Sequence, residues 1–169
     1  TRAERLDCPD WLLPRFDAAL GSHAEAFLAG LRDRAPVHLR VNLNLTDRAT
    51  AIAALQDDQI TAAPHEGVAT ALVVTEGARR VGVSAAYRDG LVEFQDAASQ
   101  ALALAIAPSS GASVLDYCAG GGGKSLALAA LGAEVTAHDA QASRMADVPD
   151  RALRAANYIK VVTQQSDLD

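Results

Sequence analysis

The sequence predicts an α/β chain: the first half of a doubly wound parallel sheet, about three strands, preceded by a helical segment and a small α+β unit. Three observations predict it. Apolar and polar residues alternate from Val37 to Leu45. From Val114 onward the pattern runs strand, helix, strand, helix, strand. Four consecutive glycines, Gly120 to Gly123, stand at the first strand-to-helix turn of that series.

Composition agrees with a globular fold. The 169 residues carry 15 Lys and Arg against 21 Asp and Glu, a net charge of −6, and half of them are apolar. Mean hydropathy is +0.06. Neither disorder nor a collagen-like chain fits these values. No apolar run reaches the roughly 18 residues of a membrane span, so no membrane partner is expected. The start Thr1-Arg2-Ala3-Glu4-Arg5 lacks the apolar core of a signal peptide. Two cysteines make no disulfide framework, and a reducing cytoplasm is the expectation. The chain does not begin with Met, and a partial product is expected. The acidic balance argues against a broad electrostatic clamp on nucleic acid. Yet all ten basic residues of 1–90 are Arg, which suits bidentate phosphate contact and base stacking. An ordinary solvated surface accounts for them equally well.

The elements follow in order. Cys8-Pro9-Asp10-Trp11-Leu12-Leu13 opens a helical stretch with Asp10 as its N-cap, and a second helix runs near 22–34 until Pro36 stops it. These form a helical segment, 1–35. The alternation of 37–45 reads as a half-buried strand. Thr46-Asp47 starts a helix to about Asp57, and 71–75, 80–83 and 91–94 are short strand candidates between glycines. Residues 36–92 therefore read as a small α+β domain. In 93–169, Asp96 caps a helix over 97–107, and 114–118 is a strand. Residues 119–124 turn into a helix that Gly132 closes, and 134–138 is the next strand. A helix over 142–157, kinked or divided by Pro149, leads to a strand over 158–163.

Four glycines in a row carry an entropy cost that packing does not repay, but they let a backbone turn sharply and approach a ligand at a helix N-terminus. The dinucleotide pattern G-x-G-x-x-G fails in both registers, because Ser125 or Leu126 falls where the last Gly belongs. The phosphate loop G-x-x-x-x-G-K-[ST] fits Gly123-Lys124-Ser125 but needs Gly where Cys118 stands. The nucleoside loop of S-adenosylmethionine (SAM) methyltransferases fits better. Asp116 lies in the first strand. Asp139 ends the second, 19 residues after Gly120, where a carboxylate can accept both ribose hydroxyls. A helix-capping Asp would look the same.

The run Asp116-Tyr117-Cys118-Ala119-Gly120-Gly121-Gly122-Gly123-Lys124-Ser125 resembles motif I, D-x-C-A-x-P-G-G-K-T, of the NOP2/Sun (RsmB-like) RNA cytosine-5 methyltransferases. Gln95-Asp96-Ala97-Ala98-Ser99-Gln100 resembles the Q-D-x-x-S-Q that opens that family's catalytic domain. Leu39-Arg40-Val41-Asn42 resembles the L-R-V-N strand of its RNA-binding domain. The three pieces stand in the family's order. The resemblance implies a Rossmann-like SAM methyltransferase sheet over 93–169, an RNA-contacting domain over 36–92, SAM as cofactor, and RNA, ribosomal RNA in particular, as partner. It implies that Cys118, Ala119, Gly120, Gly121, Gly122, Gly123 and Lys124 line the methionine and ribose end of SAM. It further implies that Asp139 holds the ribose hydroxyls and that Asp167 sits near the adenine. Asp116 then supports the loop.

Two departures stand out. Gly121 occupies the family's Pro position, which leaves a looser loop, by about 0.4–1 kcal/mol of ordering. The family's chemistry also needs a thiolate that attacks C6 of the cytosine, in Pro-Cys and Thr-Cys motifs, and this chain contains neither. Cys118 reads as a small packed residue of the loop and Cys8 has no base beside it, so no catalytic residue is assigned and the chain alone is expected to be inactive. His23, His38, His65 and His138 show no metal spacing. An RNA-binding module with a degenerate methyltransferase half is the alternative, and a P-loop hydrolase a more distant one. A half sheet leaves its third strand without a partner, which predicts self-association through that edge.

Overall fold

Three short helices gather around a core of their own at the start of the chain. The computed structural model describes residues 1–164 and 166, and the chain divides into two units, Thr1–Ala35 and Pro36–Asp169. In the first unit, α1 (Arg2–Arg5) begins with a capping box in which Thr1 and Glu4 satisfy each other's backbone N–H. Helices α2 (Leu13–Leu20) and α3 (Ala24–Gly30) are joined by a 3-10 turn, Gly21–His23. Ala3, Leu6, Cys8, Leu13 and Leu28 are buried together. Arg2 donates twice to Asp17 at 2.8 Å and once to Glu25 at 2.8 Å, crossing from α1 to α2 and α3. Two expectations change here. Asp10 caps nothing: α2 starts behind Leu12 with Pro14 in its first turn, where a missing N–H is harmless. The helix expected over 22–34 is confined to Ala24–Gly30.

The second unit holds two sheets. The first is antiparallel, in the order β2-β3-β1-β4, from β1 (Val37–Val41), β2 (Thr61–Pro64), β3 (Ala71–Glu76) and β4 (Val92–Phe94). Asp47 caps α4 (Arg48–Asp57) by accepting the Thr50 N–H at 2.9 Å, as its position before the helix requires. Leu39, Val41, Leu55, Leu72 and Val92 pack between α4 and this sheet, each 1% exposed or less. Three sequence expectations fail in this sheet. The strand expected over 37–45 ends at Val41, because Asn42 turns the chain and leaves Leu43 and Leu45 exposed. Its polar side is not solvated: Arg40 is 4% and Asn42 3% exposed. Residues 80–83 are not a strand but the end of a 3-10 helix, Ala78–Val83, which leads into α5 (Ala85–Arg88). Strand β2, short and Ala-rich, gave no apolar alternation to read.

The second sheet is parallel, in the order β5-β6-β7, from β5 (Ser113–Asp116), β6 (Glu134–His138) and β7 (Ile159–Val162). Asp96 caps α6 (Ala97–Ile106) through the Ala98 N–H at 2.8 Å. Helix α7 (Gly123–Ala130) joins β5 to β6 and ends in a Schellman motif: Gly132 takes φ +91° while Ala133 and Gly132 donate to Leu128 and Ala129. The stretch 142–157 is divided, as Pro149 suggests, into a 3-10 turn, Ala142–Met145, and α8 (Val148–Arg154). Leu126, Ala137, Met145, Val148 and Ile159 form the core beneath this sheet. Strands β5 and β7 both lie at its edges, so the edge expected at the third strand has a counterpart at the first.

Candidate functional site

Doubly wound sheets bind ligands outside the carboxyl ends of their strands. The loop that leaves β5 at that end runs from Tyr117 to Gly122. Ala119 donates to the His138 carbonyl at 2.9 Å, which lays the loop across the end of β6. The Gly122 N–H then closes a turn on the Ala119 carbonyl at 2.8 Å. Gly120 at φ +53° and Gly122 at φ +76° occupy the left-handed region that side chains disfavour. A Cβ on Gly122 would also lie 2.7 Å from Val148 Cγ2, so Gly122 lets the loop descend onto α8. Gly122 is the N-cap of α7 and supplies no side-chain cap, which leaves the helix's first N–H groups without an intrahelical partner.

Asp139 follows β6 and is 3% exposed. Its Oδ2 accepts the Gly120 N–H at 2.9 Å, and its Oδ1 accepts the Gln141 N–H at 2.9 Å. Arg144 Nη1 lies 3.5 Å from Oδ2. These two N–H bonds, Gln141 first, then the nearby positive charge, hold the Asp139 carboxyl below the usual carboxylate range. A carboxylate has about four lone-pair sites, so these two N–H donors leave capacity for two more. Ser125, fully buried, donates its Oγ to Asp116 Oδ2 at 2.7 Å. Asp116 therefore braces the loop from within. A phosphate loop needs that hydroxyl at the phosphates and their metal; here it is engaged elsewhere.

The structure thus brings Cys118 to Lys124 and Asp139 together through the Gly120 bond. Lys124 is exposed at the start of α7. Cys118 is exposed, which corrects its reading as a packed residue: it lies in the loop two residues past β5. Asp167 lies outside the described residues. A second hollow, lined by Ser113, Leu115, Glu134, Thr136, Tyr158 and Lys160, lies along the same sheet away from the glycine loop. It does not gather the loop's polar groups, and the carboxyl ends of the strands remain the candidate.

The comparisons with known proteins converge on one family. The profile described as the RsmF/B-like methyltransferase, ferredoxin-like domain, matches residues 8–81. Ribosomal RNA small subunit methyltransferase B of Citrobacter koseri is 32% identical over 161 residues, which is 94% of this chain and 37% of that protein. The solved structure of PH0851 superposes with a TM-score of 0.87 at 27% identity, over 95% of this chain and 37% of that one. Over nearly its whole length the chain is similar to RsmB-like ribosomal RNA methyltransferases. NSun6 from Pyrococcus horikoshii, solved with SFG, has the same fold, with a TM-score of 0.81 at 14% identity over 94% of this chain and 66% of that one. The chain spans little more than a third of the length of the curated relative quoted above.

Sequence reasoning missed the groups that hold this loop from outside. Gln95 Nε2 donates to the Gly123 carbonyl at 3.0 Å, and Gln95 Oε1 accepts from Arg40 Nε at 2.8 Å. Gln100 ties the same residue by donating to the Gln95 carbonyl at 2.9 Å, and Thr70 donates to Gln100 at 2.8 Å. Burial pulls the Arg40 guanidinium down to about 10, so it stays charged at neutral pH. Both Gln95 and Gln100 stood in a recognised motif. Their buried partners, Arg40 on β1 and Thr70 just before β3, are 30 to 55 residues away, and no local pattern announces them.

Proposed function

We propose that this chain is part of a SAM-dependent RNA methyltransferase that modifies C5 of cytosine in ribosomal RNA. One observation carries the reading: a glycine loop at the carboxyl end of a parallel strand, bonded through Gly120 to an acidic residue that ends the neighbouring strand. The loop, Cys118 to Lys124, surrounds the methionine and ribose end of SAM, and the remaining lone pairs of Asp139 accept from the ribose hydroxyls. SAM supplies the electrophilic methyl group. Helices of 1–35 precede an RNA-contacting domain, 36–92, and a cofactor-binding part, 93–169. The target cytosine reaches the site unstacked or single-stranded. Neither cysteine of this chain serves as nucleophile, since no Pro-Cys or Thr-Cys pair is present, and the chain alone turns nothing over. Its two free thiols suit the cytoplasm.

Calorimetric titration with SAM tests this, with ATP–Mg²⁺ as counter-ligand and Asp139→Ala as control. SAM binding that is lost in the variant supports the cofactor site. ATP binding instead returns the loop to the phosphate-loop class. RNA binding without SAM affinity favours a binding module with a degenerate methyltransferase half.

A further inference from the structure

The glycine loop is held at its least restrained residue by a side chain that plays no part in the reading above. Gly121 lies outside the left-handed region and, having no side chain, leaves its peptide free to swing. Arg151, on α8, donates Nη1 to the Gly121 carbonyl. A Cβ built on Gly121 would stand 3.1 Å from that same nitrogen. The guanidinium therefore fills the space a side chain at 121 would take. Arg151 is itself anchored: its Nε donates to Glu93 Oε2 at 3.3 Å, and Arg154 Nη2 donates to the same oxygen at 2.7 Å. Glu93 is 7% exposed on β4, paired across the ladder with Arg40. With Gln95 on the Gly123 carbonyl, the loop and the start of α7 are each gripped by a side chain from outside.

We propose that Arg151, fixed by Glu93, is a positioning residue for this loop, supplying from α8 the restraint that a proline ring at 121 would supply from within the chain. The proposal rests on the SAM reading for what the loop receives, but not for how the loop is held. Ring and guanidinium compete for one place. Among the described residues no hydrogen bond uses the Gly121 N–H, so a proline there removes none.

Amide hydrogen exchange at Gly120 and Gly122, whose N–H groups are bonded to Asp139 and the Ala119 carbonyl, followed by NMR, tests it alongside SAM titration. Arg151→Ala is expected to speed exchange at these amides about tenfold, the loss of one charge-assisted bond, while the β1–β4 ladder keeps its rates. Glu93 retains Arg154 in that variant, so no buried carboxylate is left unpaired. Gly121→Pro added to Arg151→Ala is expected to restore slow exchange and SAM affinity, whereas Gly121→Pro alone gains little because Arg151 is in its way. Unchanged loop exchange in Arg151→Ala overturns the proposal, as does a double variant as loose as the single one. Wild-type protein that binds no SAM defeats the cofactor reading, and the exchange series still decides for or against Arg151.

Discussion

Asp139 accepts N–H groups from Gly120 and Gln141 and is titrated below its ordinary range for that reason. A carboxyl whose folded pKa is depressed contributes stability above its unfolded pKa, and loses it as pH falls through the folded value. Asp139→Asn is therefore expected to be less stable than wild type at pH 7, with the gap closing below about pH 4. Urea unfolding at the two pH values checks it. The four glycines look equivalent in sequence and are not. Gly122→Ala meets Val148 and a left-handed φ, and should lose about 1–3 kcal/mol in the same assay. Gly123→Ala meets only the end of Gln95, 3.8 Å away, in a helical position. It should leave stability within about 0.5 kcal/mol while a methyl at the helix N-terminus weakens SAM binding. The motif told which residues form the loop. Which glycine serves the ligand and which serves packing depends on α8, 26 residues beyond Gly122, and could not be read locally.

At the scale of the element, two helices end on the same motif with different residues. Helix α7 places Gly132 in the left-handed C′ position; α8 places Ala156 there at φ +52°, with Asn157 and Ala156 donating to Ala152 and Leu153. Ala156→Gly is expected to stabilise the protein by about 1 kcal/mol, visible as a raised urea midpoint. Helices with caps or breakers were legible from sequence: Asp47, Asp96, Gly132 and Pro149 each act where their chemistry predicts. Elements set by tertiary contact were not. Strand β1 alternates as a half-solvated strand would, yet Arg40 and Asn42 are buried because Gln95 and the Ala155 carbonyl receive them. Residues 80–83 have strand-like composition but follow Gly77 at φ +77° into a 3-10 helix.

At the scale of the second unit, the turn before β4 meets the end of α8 backbone to backbone. A Cβ on Gly90 would fall 1.9 Å from the Arg154 carbonyl oxygen, and Asn42 Nδ2 bridges the Gly90 and Ala155 carbonyls. Gly90→Ala should therefore cost about 3 kcal/mol or more, since only backbone can yield there, and should lower both sheets' protection in hydrogen exchange. The edge of β5, beside Leu115 at 49% exposed, predicts concentration-dependent self-association in sedimentation velocity, reduced by Leu115→Lys. A monodisperse monomer at all concentrations would contradict that. The alternation of parallel strands and helices was legible from element order alone; that β5 and β7 are both edges among the described residues required the strand order.

Cys118 is exposed at the mouth of the glycine loop, while Cys8 is buried in the first unit. A thiol reagent on native protein should thus modify one position quickly, and that position is a built-in probe of occupancy. A ligand seated in the loop will slow its labelling, so the alkylation half-life alone can rank nucleosides, nucleotides and loop variants without any turnover.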